Sequence, residues 1–140
     1  AAVKALQNAQ DAVGQRDYRL ALNYALDARD RAQRAAKEAA TQQAVLRSAA
    51  ERRLGQVTAS LDQARQQLKA AEGARVPRRS LADARTAIAE AEASLQKAGT
   101  SIQESNYYES QEQLAESAKK LQLAMAEIDS TLKARGKSRR

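Results

Sequence analysis

The feature that most constrains the fold is the stretch from Tyr18 to Glu72, which spans 55 residues, contains no Pro and has Gly55 as its only Gly. Ala, Gln, Arg, Lys, Glu and Leu dominate this stretch, and all of them favour helix. At 1.5 Å per residue the stretch predicts a single helix about 80 Å long. A break near Gly55 is the alternative.

The apolar residues predict a thin core. Of the 140 residues 33 are Ala and 14 are Leu, and the chain has no Phe or Trp. Small residues let helices approach closely along narrow seams, whereas a compact globule needs larger side chains. Ile, Val and Thr are sparse, which argues against a sheet. We therefore predict an all-α fold of antiparallel helical hairpins.

Heptad patterns place the remaining helices. We predict a single elongated helical domain with helices at about 2–14, 17–72, 80–99 and 105–135, followed by a basic disordered tail at 136–140. The first helix should fold back on the first half of the second. Clean steps of three and four link three sets of apolar positions, Leu54 to Ala71, Leu81 to Ala98 and Leu114 to Leu132. They indicate a three-helix coiled-coil bundle that shares the long helix.

Capping residues suggest where these helices begin and end. Gly14 is a candidate C-terminal cap, and Asp17 a candidate N-cap. Ser80 is expected to cap the third helix, and Gly99 with the Thr and Ser that follow it to end that helix.

A weak internal repeat aligns residues 15–25 with 104–114. In both copies a helix ends, a polar residue caps the next helix, and a Tyr follows in its first turn. We expect Tyr18 and Tyr107 to fill the gap where each hairpin closes. Tyr108 must then point away from the core, which makes it a candidate contact residue.

Catalytic and metal-binding chemistry has little support in the residues. The chain has no His and no Cys, so the commonest general base, thiolate ligands and disulfides are all missing. Glu109, Glu112 and Glu116 lie at helical spacing, but such a row is typical of a solvated helix face. The sequence predicts a protein that is not an enzyme, with no catalytic, cofactor or metal site and no small-molecule substrate.

The net charge of +7 is unevenly distributed. Residues 1–79 carry 15 basic and 8 acidic residues, residues 80–133 carry 5 and 9, and the last seven carry four basic residues and no acid. We interpret most of these charges as flanking the helix seams. The alternative is a basic helical protein that binds nucleic acid or an anionic membrane surface. The basic residues near the C-terminus are candidates for such a contact: Arg135, Lys137, Arg139 and Arg140.

The middle of the long helix lacks an intramolecular partner. The first and third helices are too short to cover the stretch from about Arg31 to Ala49, which carries a narrow Ala stripe. A lone helix gains little stability in water. We therefore expect either a homodimer through this stretch or a monomer in which the helix breaks and folds back.

Two motifs resemble known helical families. Asp17 to Ala28 resembles the second helix of a tetratricopeptide-like hairpin. The pattern from Val76-Pro77 through Ser80-Leu81 to Asn106-Tyr107 is similar to an alanine-rich bacterial envelope family of unknown function that is often found on lipoproteins. Asn106, where that family usually has Asp, and Ser110, where Ala is typical, depart from its pattern.

The resemblance implies a cell-envelope helical module. We therefore expect a periplasmic or envelope-associated protein that acts as an interaction or scaffold module with a protein partner, and a cytoplasmic location stays open. The chain does not begin with Met. We interpret it as a mature or trimmed form, in which an upstream signal or lipid-attachment segment would not be seen.

Overall fold

The computed structural model describes residues 1–138, and the side chains of residues 1–136. These residues form four α-helices and one 3₁₀ turn, with no strand among them. The elements, in chain order, are α1 (Ala2–Gly14), α2 (Tyr18–Gly73), the 3₁₀ turn (Arg78–Leu81), α3 (Ala82–Gln103) and α4 (Tyr107–Ser138). The predicted all-α class is confirmed.

The contacts divide the chain into two compact units, Ala1–Val45 and Leu46–Arg140, where the sequence predicts one domain. The first unit contains α1 and the beginning of α2. The second contains the rest of α2 with α3 and α4. The division follows from helix length, because α1 is only 13 residues long. Every residue of α2 from 29 to 45 is exposed, so little packing holds that stretch to the rest of the chain.

The second unit is the three-helix bundle that the heptads predict. Its core joins Val57 and Leu61 of α2 to α3 and α4. Fully buried large side chains of the other elements complete it: Leu81, Leu114, Leu121 and Ile128. Burying a Leu or Ile contributes roughly 1.5–3 kcal/mol. The apolar stripes of three helices therefore account for the stability of this unit.

The helices α2 and α4 run parallel to each other, and α3 runs antiparallel to both. At one end of the bundle Tyr107 packs with Ala50, and at the other end Arg135 donates a hydrogen bond to the Arg75 carbonyl oxygen. The helix α2 passes through Gly55 without a break. Gly55 lies on the exposed side, where its missing side chain costs only helix propensity.

Two helix boundaries differ from the expectation. The helix α3 continues through Gly99 to Gln103, because Ser101 and Ile102 are buried and their packing outweighs the low helix propensity of Gly. Ser80 makes no capping hydrogen bond, since the chain enters α3 through the 3₁₀ turn.

The end of α4 also differs. The helix extends to Ser138, which places residues 136–138 of the expected disordered tail inside a helix. Lys133 and Arg135 near its end interact favourably with the negative end of the helix dipole. Arg139 and Arg140 lie outside the described residues, as does the side chain of Lys137.

Candidate interaction surface

The turns α1–α2 and α3–α4 have the same backbone. In the first, Arg16 has φ 61° and the N–H groups of Arg16 and Asp17 donate to the carbonyl oxygens of Val13 and Ala12. In the second, Ser105 has φ 64°, and Ser105 and Asn106 bond in the same way to the carbonyl oxygens of Ile102 and Ser101. Both turns are Schellman motifs. The repeat seen in the sequence is therefore a repeat of structure, with an offset of 89 residues.

The residue that ends each motif also begins the next helix. The carboxylate of Asp17 accepts a hydrogen bond from the Leu20 N–H at 3.0 Å, so Asp17 is the N-cap of α2 as predicted. The carbonyl oxygens of Asp17 and Asn106 both accept the first helical bond, from Ala21 and Ser110. Each hairpin thus reverses in a few residues, which fixes the register of its two helices.

Small residues form the seam inside both hairpins. Ala9 and Ala12 of α1 pack towards Ala21 and Ala28 of α2, and all four are buried. The equivalent positions of α3 and α4 are also buried: Ala98, Ser101, Ser110 and Ser117. The hydroxyl groups of the last two Ser donate to carbonyl oxygens of their own helix. The hairpins therefore close by the same means.

Beside this seam, one side of the α3–α4 hairpin is covered by a third helix, which is formed by residues 46–73 of α2. Tyr107 and Ile102 pack against Ala50, with Leu46 and Leu54 beside them. Further along, Leu95, Leu114 and Leu121 belong to the core that contains Val57 and Leu61. Five residues of this hairpin that pack with the third helix are each at most 8% exposed: Leu95, Ile102, Tyr107, Leu114 and Leu121.

The same side of the α1–α2 hairpin is uncovered within its unit. The equivalent residues are Leu6, Val13, Tyr18, Ala25 and Ala32, which we call the open face. Leu6 and Val13 are each 53% exposed and Tyr18 is 67% exposed, while Ala25 and Ala32 are also exposed. The prediction that Tyr18 fills the gap at its hairpin is therefore wrong. Tyr107 is buried because Ala50 of the third helix packs against it. The first unit contains no helix that corresponds to residues 46–73, and Tyr18 therefore stays exposed.

A groove runs along the open face. Its floor is formed by Ala and its wall by aliphatic side chains of α1, with Arg29 as its only charged lining residue. The lining residues are Ala2, Val3, Leu6, Ala25, Ala28, Arg29 and Ala32. Exposed Leu22 and Leu26 lie within one helical turn of the floor. This arrangement offers an apolar side chain a place to insert, and it offers no set of polar groups that converge on a ligand.

Ion pairs join the helices of the second unit. Arg65 of α2 lies 2.6 Å from Glu92 of α3, and Lys120 of α4 lies 2.9 Å from Glu90 of α3. A hydrogen bond and the charge of Glu92 raise the pKa of Arg65, and hydrogen bonds to Glu90 and Glu116 raise the pKa of Lys120. The pair of Arg65 and Glu92 joins a basic residue of α2 to an acidic residue of α3, whereas Lys120 and Glu90 both belong to the acidic half of the chain. The interpretation that most charges flank the seams therefore stays a prediction.

The other predicted site residues lie in the second unit. Tyr107 is 6% exposed and Tyr108 is 75% exposed, which is the division that the register requires. Arg135 is half-buried against the loop between α2 and α3. Among residues 1–138, no group of three or more His, Cys, Asp and Glu is placed to hold a metal ion.

The sequence interpretation missed Leu6 and Val13 as surface residues. It aligned only residues 15–25 with 104–114. An alignment extended in both directions pairs Leu6 with Leu95, Val13 with Ile102, and Ala32 with Leu121. That extension identifies the face, because it matches each exposed position with one that is buried under a third helix.

No helix in the described part of the chain has an apolar stretch long enough to cross a bilayer. Comparisons with protein-family models, with curated proteins and with solved structures found no match to this chain.

Proposed function

We propose that this chain is a non-enzymatic interaction or scaffold module, and that its α1–α2 hairpin binds an amphipathic helix of a partner on the open face. One observation carries the proposal: the equivalent side of the α3–α4 hairpin, which has the same turn and seam, is occupied by a helix. The absence of His and Cys from the sequence supports the non-enzymatic part.

The helix over α3–α4 defines what a partner must present. Its Ala50 lies beside Tyr107, and its large residues follow four, seven and eleven positions later as Leu54, Val57 and Leu61. A partner helix on the open face therefore places a small residue beside Tyr18 and aliphatic residues at that spacing. It runs parallel to α2 and antiparallel to α1, in the geometry of a three-helix bundle.

The floor of the groove determines the size of the side chains. Ala25 and Ala32 stand where the second unit has Leu114 and Leu121, so the open face leaves more room than the covered one. Leu, Met or aromatic residues of a partner fill that room, whereas Ala leaves voids that forfeit dispersion contacts. With Arg29 as the single charged lining residue, affinity comes mainly from apolar burial.

A labelled peptide of residues 46–73 is the probe for this site, because it carries the required spacing. Fluorescence anisotropy with the full chain should show saturable binding. The double substitution Leu6→Glu with Val13→Glu should abolish it, since both charges lie on the open face. A matched pair on exposed positions outside the open face and outside the stretch from Arg31 to Ala49, Gln7→Glu with Gln122→Glu, should retain it.

A control peptide with Leu54→Asp and Leu61→Asp should not bind. Sedimentation equilibrium of the chain alone tells whether the partner helix comes from a second copy of the chain. In such a dimer the stretch from Arg31 to Ala49 of the second copy is one candidate for that helix. Self-association that Leu6→Glu with Val13→Glu removes would support the proposal and identify that partner. Absence of both peptide binding and self-association, or equal loss in the two double variants, would contradict it.

The envelope location is a separate part of the proposal and is supported by the resemblance of residues 76–107 to an envelope family. Fractionation of the source cells, followed by immunoblotting, should place the protein in the periplasmic or membrane fraction. Recovery in the cytosolic fraction alone would contradict this part and leave the interaction proposal intact.

A further inference from the structure

One end of the three-helix bundle gathers cationic side chains from two segments. The loop between α2 and α3 carries Arg75, Arg78 and Arg79, and the last turns of α4 carry Lys133 and Arg135. The guanidinium group of Arg135 donates a hydrogen bond to the carbonyl oxygen of Arg75, which holds α4 against the loop. We call these five residues the basic end.

The backbone of the loop presents its Arg side chains to solvent. Arg75 has φ 58° and completes a Schellman motif, with Val76 bonded back to the Ala71 carbonyl oxygen at 3.1 Å. Val76 is buried, so the loop is anchored to the core. Arg75, Arg78 and Arg79 are all exposed.

The five cations of this end outnumber the carboxylates near it, which are those of Glu72, Asp83 and Asp129. The nearest carboxylate along α2, that of Glu72, is engaged by Arg85. Among the ion pairs of the described residues, none involves Arg75, Arg78, Arg79, Lys133 or Arg135. Arg52, Arg53 and Lys97 of this unit are also outside those ion pairs, but they lie away from this end, so the basic end holds the largest group of unpaired cations in the unit.

Guanidinium groups bind phosphate oxygens through paired hydrogen bonds. The basic end is a compact cluster on one loop and one helix terminus, which suits contact with a flat array of phosphates better than a track along a nucleic-acid strand. The Tyr residues of this unit, Tyr107 and Tyr108, lie at the opposite end of the bundle. The basic end thus has no aromatic ring on which a base can stack.

We propose that the basic end binds the phosphate groups of anionic lipids at a membrane surface. The proposal does not depend on helix binding by the open face, because the two surfaces lie in different units and share no residue. Each Lys or Arg near an anionic membrane strengthens binding about fivefold, so five cations together give substantial affinity at moderate salt.

Flotation of the full chain with vesicles tests the proposal. Vesicles of phosphatidylcholine with about one-third phosphatidylglycerol should bind the protein in 0.1 M NaCl, and vesicles of phosphatidylcholine alone should not. The triple substitution Arg75→Gln, Arg78→Gln and Arg79→Gln should lower the partition coefficient about 100-fold, three factors of about five.

A matched control changes the net charge equally at another place. Arg19→Gln, Arg52→Gln and Arg53→Gln remove three exposed cations, two of them near the opposite end of the bundle, and should lower binding less than tenfold. Circular dichroism verifies that both variants stay folded. Equal losses in the two variants, equal binding to neutral vesicles, or tighter binding to duplex DNA than to anionic vesicles at the same salt would each overturn the proposal.

Discussion

The α1–α2 and α3–α4 hairpins share a Schellman turn and a seam of small residues. They differ on the side of the hairpin beside that seam, which a third helix covers in α3–α4 only. In α3–α4 the covering helix, residues 46–73, buries Leu95 and Ile102, and in α1–α2 the equivalent Leu6 and Val13 stay half exposed. The turn and the seam therefore determine how a hairpin closes. They do not determine whether it has a hydrophobic core, which depends on a third helix.

The largest expected difference concerns residues under the third helix. Leu121→Ala removes a fully buried side chain from the core of the second unit and should lower the free energy of unfolding by about 2–5 kcal/mol. At the matching position the first unit already has Ala32. Leu6→Ala should cost less than about 0.5 kcal/mol, because its side chain is exposed. Urea denaturation followed by circular dichroism measures both, and similar costs would mean that the open face is buried in solution.

The two hairpin Tyr residues give the next largest contrast. Tyr107→Ala should cost about 2–4 kcal/mol, because it leaves a cavity beside Ala50. Tyr18→Ala should cost under about 0.5 kcal/mol, since the ring is largely exposed. Tyr108→Ala, adjacent in sequence to Tyr107 and exposed, is the control and should resemble Tyr18→Ala. Equal effects at Tyr107 and Tyr108 in the same urea titration would refute the register of α4.

A smaller effect of opposite sign is expected where the hairpins are alike. Arg16 and Ser105 both adopt a positive φ that costs a non-Gly residue roughly 1 kcal/mol. Arg16→Gly and Ser105→Gly should each stabilise their own hairpin by up to about 1 kcal/mol, less the added entropy of the unfolded chain. Residue-resolved hydrogen exchange assigns each gain to its hairpin. Ser105→Gly also removes the Oγ that accepts a hydrogen bond from the Tyr107 hydroxyl at 3.4 Å, so Ser105→Ala is the reference for this position. A Gly variant less stable than the Ala variant would contradict the left-handed conformation of Ser105.

The smallest effect depends on pH. It distinguishes an ion pair between two helices from an ion pair within a single helix. Arg31 pairs with Asp27 within α2, as Lys120 pairs with Glu116 within α4, but only Lys120 also reaches across to another helix, at Glu90. These partners raise the pKa of Lys120. The stabilisation is therefore fully present below the unfolded-state pKa of Lys and is lost as the pH rises through the folded-state value.

A double-mutant cycle of Lys120→Met and Glu90→Gln, measured between about pH 8 and pH 11, should show a coupling that decreases with pH. The corresponding pair Arg31 and Asp27 is the control, because an Arg does not lose its proton in this range. A coupling between Lys120 and Glu90 that stays constant with pH would contradict the pairing.

Local sequence signals predicted the parts of the fold that depend on local structure and heptad spacing. The Pro-free stretch predicted α2, Asp17 predicted its N-cap, and the heptads predicted the three-helix bundle. The predicted end of α3 at Gly99 was wrong, because the burial of Ser101 and Ile102 outweighs the low helix propensity of Gly. The exposure of Tyr18 had no local signal, since the presence or absence of a neighbouring third helix is a tertiary property. The open face could be predicted from the sequence only by extending the alignment of the internal repeat.

Native-state hydrogen exchange tests most directly whether packing against the third helix is what makes the α3–α4 hairpin more stable than the α1–α2 hairpin. In a chain shown by sedimentation to be monomeric, the amides of α1 should exchange through a local opening of low free energy, because that helix packs mainly through Ala. The amides in the middle of α3 should exchange only by global unfolding of the second unit. The 46–73 peptide should then protect α1 without altering α3. Equal protection of α1 and α3 in the free monomer would contradict the account.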